Sequence, residues 1–235
     1  MSDRPEEPEH PHFGQAQRQF GGPGRQGLGL SRGHSRGPAD EVFAGEVDRG
    51  GAGAWARRAG WGRIGAPDPQ LQVVEELVRS APARRIGSDH HPRDVLAGSV
   101  DGVGMLAFDI AVSASTGWIT EWAVTAAALP DGAPAVRLTP ARLWLHDPDG
   151  LARAGSGDEA FDARWRVLGR DSRARRVAGD PAVRRALLAT DDGDDIWIAA
   201  GHVAALRPDG HRPALLEHHV RLLAVIRRAL VRTES

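Results

Sequence analysis

From Phe161 to Arg232 the chain's apolar spacing, its breakers and its turn residues all agree, and this last third limits the fold more than any other stretch. Phe161, Ala163, Trp165 and Val167 alternate with Asp162, Arg164 and Arg166, which predicts a strand from Phe161 to Leu168 with one dry face and one wet face. A charged link follows. Asp180 as cap and Pro181 at the first position then open a short helix to Ala189 that buries Val183, Leu187 and Leu188. An acidic turn leads into a hairpin between Ile196 and Arg207, and Pro208-Asp209-Gly210 turns the chain once more. Leu215, Leu216, His219, Leu222, Leu223, Ile226 and Leu230 line one side of a long closing helix, Ala214 to Leu230.

Upstream, the same rules give a helix and then strands. Asp68-Pro69 opens a helix whose Leu71, Val74, Leu77 and Val78 share a face, and Pro82 stops it by disfavouring helical geometry at Ala81. The period then changes to two. Arg84 to Ile86, Asp94 to Val100 and Gly104 to Val112 read as successive strands, and Asp101-Gly102 suits the positive dihedrals of a two-residue type I′ turn. Trp118 to Leu129 alternates with both faces partly apolar, which places Trp118 and Trp122 on the same face. Val136 to Leu138 and Arg142 to His146 are short strand segments, and Asp147 to Glu159 is a polar loop whose Leu151 and Arg153 stand where a calcium loop needs oxygen ligands.

Residues 1–40 are rich in Gly, Pro, Arg, Gln and His, with too few apolar side chains to offset the ordering entropy, so a disordered tail is expected there. A Gly22-x-Gly24-x-x-Gly27 match lies in it, without the strand and helix that a dinucleotide fingerprint needs. Residues 41–60 read as a linker or clasp, and 61–232 as a single domain. The expected fold class is α+β: an antiparallel sheet with helices packed on one face and a long C-terminal helix.

Composition removes whole classes of chemistry. There is no cysteine, so thiolate nucleophiles, disulfides and cysteine-held metals are excluded, and a formal charge of -1 gives no global attraction to nucleic acid or anionic lipid. The start of the chain lacks the apolar run of a secretory signal, and no window reaches the length of a spanning helix. His90-His91 and His218-His219 are adjacent pairs; neighbours on a helix diverge, so His218 and His219 do not face one ion, and no His-Glu-x-x-His occurs, which leaves a site assembled across the fold, for instance from His91, His219 and Asp195, as the alternative to the expectation of no metal and no cofactor. No Gly-x-Ser-x-Gly elbow is present.

Three sets of residues remain as candidates for function. Trp55 and Trp61, set among glycines, form a contact surface if exposed and an anchor of the fold's edge if packed. Trp118 and Trp122 with Glu121, an acid in an apolar strand, mark the place for a pocket beside the sheet, with Glu121 pointing to solvent as the plainer reading. Arg170, Arg173, Arg175, Arg176, Arg184 and Arg185 form a basic patch able to hold phosphate or a nucleic-acid backbone. Asp171 and Asp180 and the absence of interleaved aromatics weigh against that use. The acidic run Asp191, Asp192, Asp194 and Asp195 is positioned in sequence to pair with those arginines.

The succession Gly98 to Phe108, the long alternating strand, Phe161-x-x-x-Trp165-x-Val167, Asp180-Pro181, Leu187-Leu188, Trp197-Ile198, Arg207-Pro208 and a terminal helix resembles a group of actinobacterial proteins to which no activity is assigned. The resemblance runs from about Trp61 to Leu230. Many members of that group carry membrane helices ahead of a soluble domain, which this chain lacks, and no catalytic residues carry over from it. The expectation is therefore a binding or scaffolding domain with protein as its partner class, nucleic acid disfavoured, cytoplasmic or peripheral to the membrane. Its rival is an enzyme or ligand-binding domain built around Trp118, Trp122 and Glu121.

Overall fold

The computed structural model of the chain describes residues 42, 46–83, 86–115, 117–141 and 150–232, all within the unit Gly33–Ser235. The expected tail, the glycine match within it and the strand at Arg142 to His146 lie outside the described residues. Nine strands, β1 Gly62–Arg63, β2 His90–Val100, β3 Val103–Ala114, β4 Gly117–Ala128, β5 Val136–Pro140, β6 Ala152–Ala154, β7 Trp165–Gly169, β8 Asp195–Ala199 and β9 His202–Pro208, form one sheet in the order β1-β2-β3-β4-β9-β8-β5-β7-β6. Every neighbouring pair is antiparallel. Six helices accompany it among the described residues: α1 Arg49–Arg58, α2 Gln70–Ser80, α3 Glu159–Arg164, α4 Ser172–Gly179, α5 Pro181–Leu188 and α6 Pro213–Val231.

The α+β class, the antiparallel sheet and the long closing helix stand as expected. The layering is more specific. Met105 and Ala107 of β3 face a core shared with α1, α4, α5 and α6, while the alternate residues Leu106, Phe108 and Ile110 face a second core with Val74, Leu77 and Val78 of α2. Central strands that are apolar on both faces need cover on both, and α2 supplies it on the side away from α6.

Local signals explain most boundaries. Asp101 and Gly102 have φ of 51° and 76°, the left-handed pair of a type I′ turn, and they set the β2–β3 register. Asp68 accepts a hydrogen bond from the Gln70 amide at 2.9 Å, and Ala81 is extended ahead of Pro82. Asp180 accepts from the amides of Ala182 and Val183 and caps α5.

Four expectations are corrected. Phe161 to Leu168 is not one strand: Asp158 caps α3 by accepting from the Phe161 amide at 3.1 Å, and β7 begins only at Trp165. Phe161 and Trp165, both fully buried, stand four apart, a spacing that helix and strand periods share. The charged link is α4, whose Ala174, Val177 and Ala178 are buried among arginines. The polar loop before α3 contains the edge strand β6. Ile86, expected to end a strand, lies outside the sheet.

Candidate functional site

The sheet register gathers polar side chains on the α6 side. Asp109 stands opposite Ala123, which stands opposite Arg207, and Thr125 lies two residues along β4 on the same face. Their same-face neighbours Ala107, Ala123, Ala127 and Ala205 are small and leave room for two imidazole rings above the sheet. His211 enters from the turn ahead of α6, and His219 descends from the buried stripe of α6 itself.

The resulting chain of contacts is continuous. Asp109 Oδ1 accepts from the His211 backbone N–H at 3.0 Å and lies 2.8 Å from His211 Nδ1, while its Oδ2 accepts from Arg49 Nε at 3.0 Å. Thr125 Oγ1 is 3.1 Å from His211 Nε2 and 3.1 Å from His219 Nδ1. His219 Nε2 is 3.2 Å from Asp194 Oδ1, which also accepts from Arg207 Nη1 at 3.1 Å. Arg207 in turn grips Asp191 with bonds of 2.9 and 2.6 Å, and His218 Nε2 stands 3.8 Å from Asp194 Oδ2.

Charge and burial oppose each other throughout this seam. Burial would raise the Asp109 carboxyl, but the hydrogen bonds and charges of His211 and Arg49 hold it below the usual range. Asp194 is held well below that range against its own burial by Arg207 and His219, and Arg207 is raised in return. Burial pushes His218 and His219 down, with Asp194 only partly compensating. A hydroxyl between two carboxylate-backed imidazoles has the parts of a nucleophile and its base. Yet Thr125 and His219 are fully buried and His211 is 5% exposed, so no substrate atom reaches the hydroxyl.

The other legible surface is the free end of the β3–β4 hairpin. Trp118 is 45% exposed, with the His91 ring edge-on at 5.6 Å and the Arg93 guanidinium 4.7 Å from its centroid. Ile110 pairs with Trp122 and Ala111 with Thr120, so Glu121 is an extra residue and the faces exchange across it. Trp122 therefore packs with the α2-side core, and Trp118 lies on the opposite face, contrary to the simple alternation. Glu121 is partly exposed and lies 3.2 Å from His90 Nε2.

The remaining candidates are placed as follows. Trp61 is 3% exposed and meets Trp55 edge-on at 5.7 Å, both within or against the α6-side core, and a side chain on Gly98 would overlap the Trp61 indole. Arg173 bonds Asp171 and the Gly132 carbonyl, and Arg184 bonds the Ser156 carbonyl and faces Asp158. Arg170, Arg175, Arg176 and Arg185 stand at the surface. Within the acidic run, Asp191 and Asp194 bond Arg207, Asp192 bonds Arg164, and Asp195 bonds Arg137. His91, His219 and Asp195 do not converge, and no group of three acidic or histidine side chains among the described residues is set to hold a metal ion. The buried seam went unread in the sequence, although His219 on an apolar stripe and Asp109 in an apolar strand were its visible signs.

No protein-family model matches the chain, and no curated protein matches it by sequence. A solved structure of similar fold is the mycobacterial trehalose monomycolate transport factor A, TtfA, which aligns with a TM-score of 0.57 and 17% identity over 77% of this chain and 93% of that one. The likeness is one of fold. TtfA comes from the actinobacteria, as the resemblance in sequence implied for relatives of this chain, but it carries a specific name where that group carries no activity. No helix among the described residues is long and apolar enough to cross a membrane.

Proposed function

We propose that the chain is a non-catalytic binding or scaffolding domain that works through contact with another protein. The observation that supports this most is where its chemically able groups lie. Asp109, Thr125, Asp194, His211 and His219 are buried and bonded to one another, whereas Trp118, with Arg93 and His91 against it, stands at the surface. Tryptophan and arginine are the residue types that most often anchor protein interfaces. TtfA is named a transport factor, and a part in transport played by contact is what this reading carries over from it. In this reading the chain works in the cytoplasm, peripheral to the membrane through its protein partner.

The test compares capture of partners by the full chain and by a Trp118→Ala, Arg93→Ala variant of unchanged melting temperature. A partner held by the first and reduced about ten-fold or more with the second supports the reading, since anchor residues contribute about 2 kcal/mol or more. Equal capture by both overturns the assignment of this surface.

A second reading has one specific observation behind it. The buried Trp122 Nε1 has no hydrogen-bond partner, and Glu121 beside it is held by His90. A ligand with an acceptor atom seated on the α2 side of the sheet would satisfy that donor. Trp122→Phe, which removes only the donor, should then weaken small-ligand binding and leave partner capture unchanged.

A further inference from the structure

The seam between sheet and α6 contains one hydroxyl where its contacts call for two protons. Thr125 Oγ1 lies 3.1 Å from a ring nitrogen of His211 and 3.1 Å from one of His219. The other nitrogen of each ring faces a carboxylate, Asp109 at 2.8 Å and Asp194 at 3.2 Å. Both carboxylates are ionised, because their cationic and hydrogen-bonding neighbours outweigh burial. An ionised carboxylate only accepts, so each ring must carry a proton on its carboxylate-facing nitrogen. Two neutral rings would then turn two bare lone pairs toward Thr125, whose hydroxyl has a single proton to give. One contact would set lone pair against lone pair in a site closed to water, where an unsatisfied polar group is most costly.

We propose that Thr125, His211 and His219 form a buried proton-binding site that holds one proton beyond the neutral rings, carried by His211, and that this proton keeps α1 fastened to the sheet. His211 Nε2–H then donates to Thr125, Thr125 donates to His219 Nδ1, and His219 Nε2–H donates to Asp194. Every contact in the chain is satisfied in one direction.

The surrounding charges place the proton on His211. Asp194 already faces Arg207 at 3.1 Å and His218 at 3.8 Å, and Arg207 is shared with Asp191. Asp109 has, besides His211, Arg49, which is 46% exposed and also 3.9 Å from Asp94, and Arg93, which stands opposite it in the β2–β3 register but lays its guanidinium over Trp118. Arg212 and Asp209 stand at the turn into α6. The shorter ring-to-carboxylate contact is also the one at Asp109.

Fastening of α1 follows from what His211 holds. The Asp48 amide donates to the His211 carbonyl at 3.0 Å, and Asp48 caps α1 through the Gly51 amide at 2.8 Å. Arg49 reaches Asp109 and Thr120, and a side chain on Gly51 would strike Asp48 and Pro213, so the first turn of α1 rests against the start of α6. When the extra proton leaves, Thr125 can satisfy only one ring. His219 is fixed within α6; His211, in the turn before it, yields and takes the Asp48 anchor with it.

The test labels the histidines of the full chain with nitrogen-15 in both ring positions and assigns them by single substitutions. At pH 7 both ring nitrogens of His211 should be protonated, and His219 should be neutral with its proton on Nε2. Raising the pH until the His211 proton is lost should speed amide exchange in α1 about ten-fold relative to α6, after correction for the intrinsic pH dependence of exchange. Thr125→Val should leave His211 neutral at pH 7 with α1 already exchanging fast, and Thr125→Ser should restore both. A neutral His211 in the unaltered chain, or a charged one indifferent to Thr125→Val, overturns the proton site. Unchanged α1 exchange after the proton is lost overturns the fastening. If Thr125→Val does not fold, ring protonation in the unaltered chain and in Thr125→Ser decides the question.

Discussion

Two buried ionic clusters lie on opposite faces of the same sheet and are built on different plans. Under α2, Arg137 and Asp195 form a closed pair: two bonds of 3.1 and 2.6 Å join them, Thr139 donates to the same carboxylate at 3.3 Å, and both side chains are 5% exposed. Under α6, the contacts run as an open chain from Arg49 through Asp109, His211, Thr125, His219, Asp194 and Arg207 to Asp191. This pair ties two neighbouring strands together, and beyond them Arg137 Nη2 donates only to the Pro82 carbonyl, at 3.4 Å, in the bonds described. An open chain links α1, the turn before α6, α6, the strands β3, β4 and β9 and the turn before β8, and its histidines give it more than one proton count. The difference teaches that buried charge by itself says little about role; connectivity and titratable members separate a strut from a coupling element.

The largest expected effect lies in the open chain. Asp194→Ala leaves His219 without its carboxylate and takes from Arg207 the more buried of its two, and should destabilise the fold by about 3–5 kcal/mol, read as a lower urea midpoint at unchanged slope. The closed pair should behave differently under repair. Asp195→Leu alone leaves Arg137 buried without its carboxylate and should lose about 3 kcal/mol, but Arg137→Met with Asp195→Leu should return to within about 1 kcal/mol of the starting chain. A double variant no better than the single one would show that the α2-side pair is not self-contained, and the contrast between the two clusters would fail.

These clusters also mark the limit of what the chain discloses in one dimension. The helix α2, the Asp101-Gly102 hairpin, the β8–β9 pair, α5 and α6 were readable because each rests on neighbours within one turn or one strand. The break between α3 and β7 was not, since Phe161 and Trp165 satisfy both periods, and α4 hid its buried side in Ala174 and Ala178 among arginines. One extra residue at Glu121 was enough to reverse the face of Trp118, and no single-residue propensity announces a bulge. The candidate seam is harder still. Asp109 is one of 31 acidic residues in the chain, and Thr125 meets His219 across 94 positions, so only the sheet register brings them together.

The smallest effect, and the most discriminating, is the response to acid. Burial holds His218 and His219 below the ordinary histidine value of 6.5. The unfolded chain therefore binds their protons at a pH where the folded chain does not, so stability rises with pH through this window and is lost as pH falls below about 6.5, by up to about 1.4 kcal/mol per pH unit for each histidine. Asp195 has the opposite sign. Burial outweighs Arg137 and Thr139 and keeps its carboxyl above the usual 3.8, so the folded chain binds that proton more readily, and acidification toward 3.8 favours the fold at this position. Urea midpoints taken from pH 6.5 to 5.5, below the range in which the proposed His211 proton is lost, should fall in the unaltered chain and fall much less in a His218→Gln, His219→Gln variant, whereas the Arg137→Met, Asp195→Leu chain should retain the full decline. An acid response that followed the α2-side substitutions instead would place the pH sensitivity on the wrong face of the sheet and remove the physical basis for treating the α6 side as the coupling element.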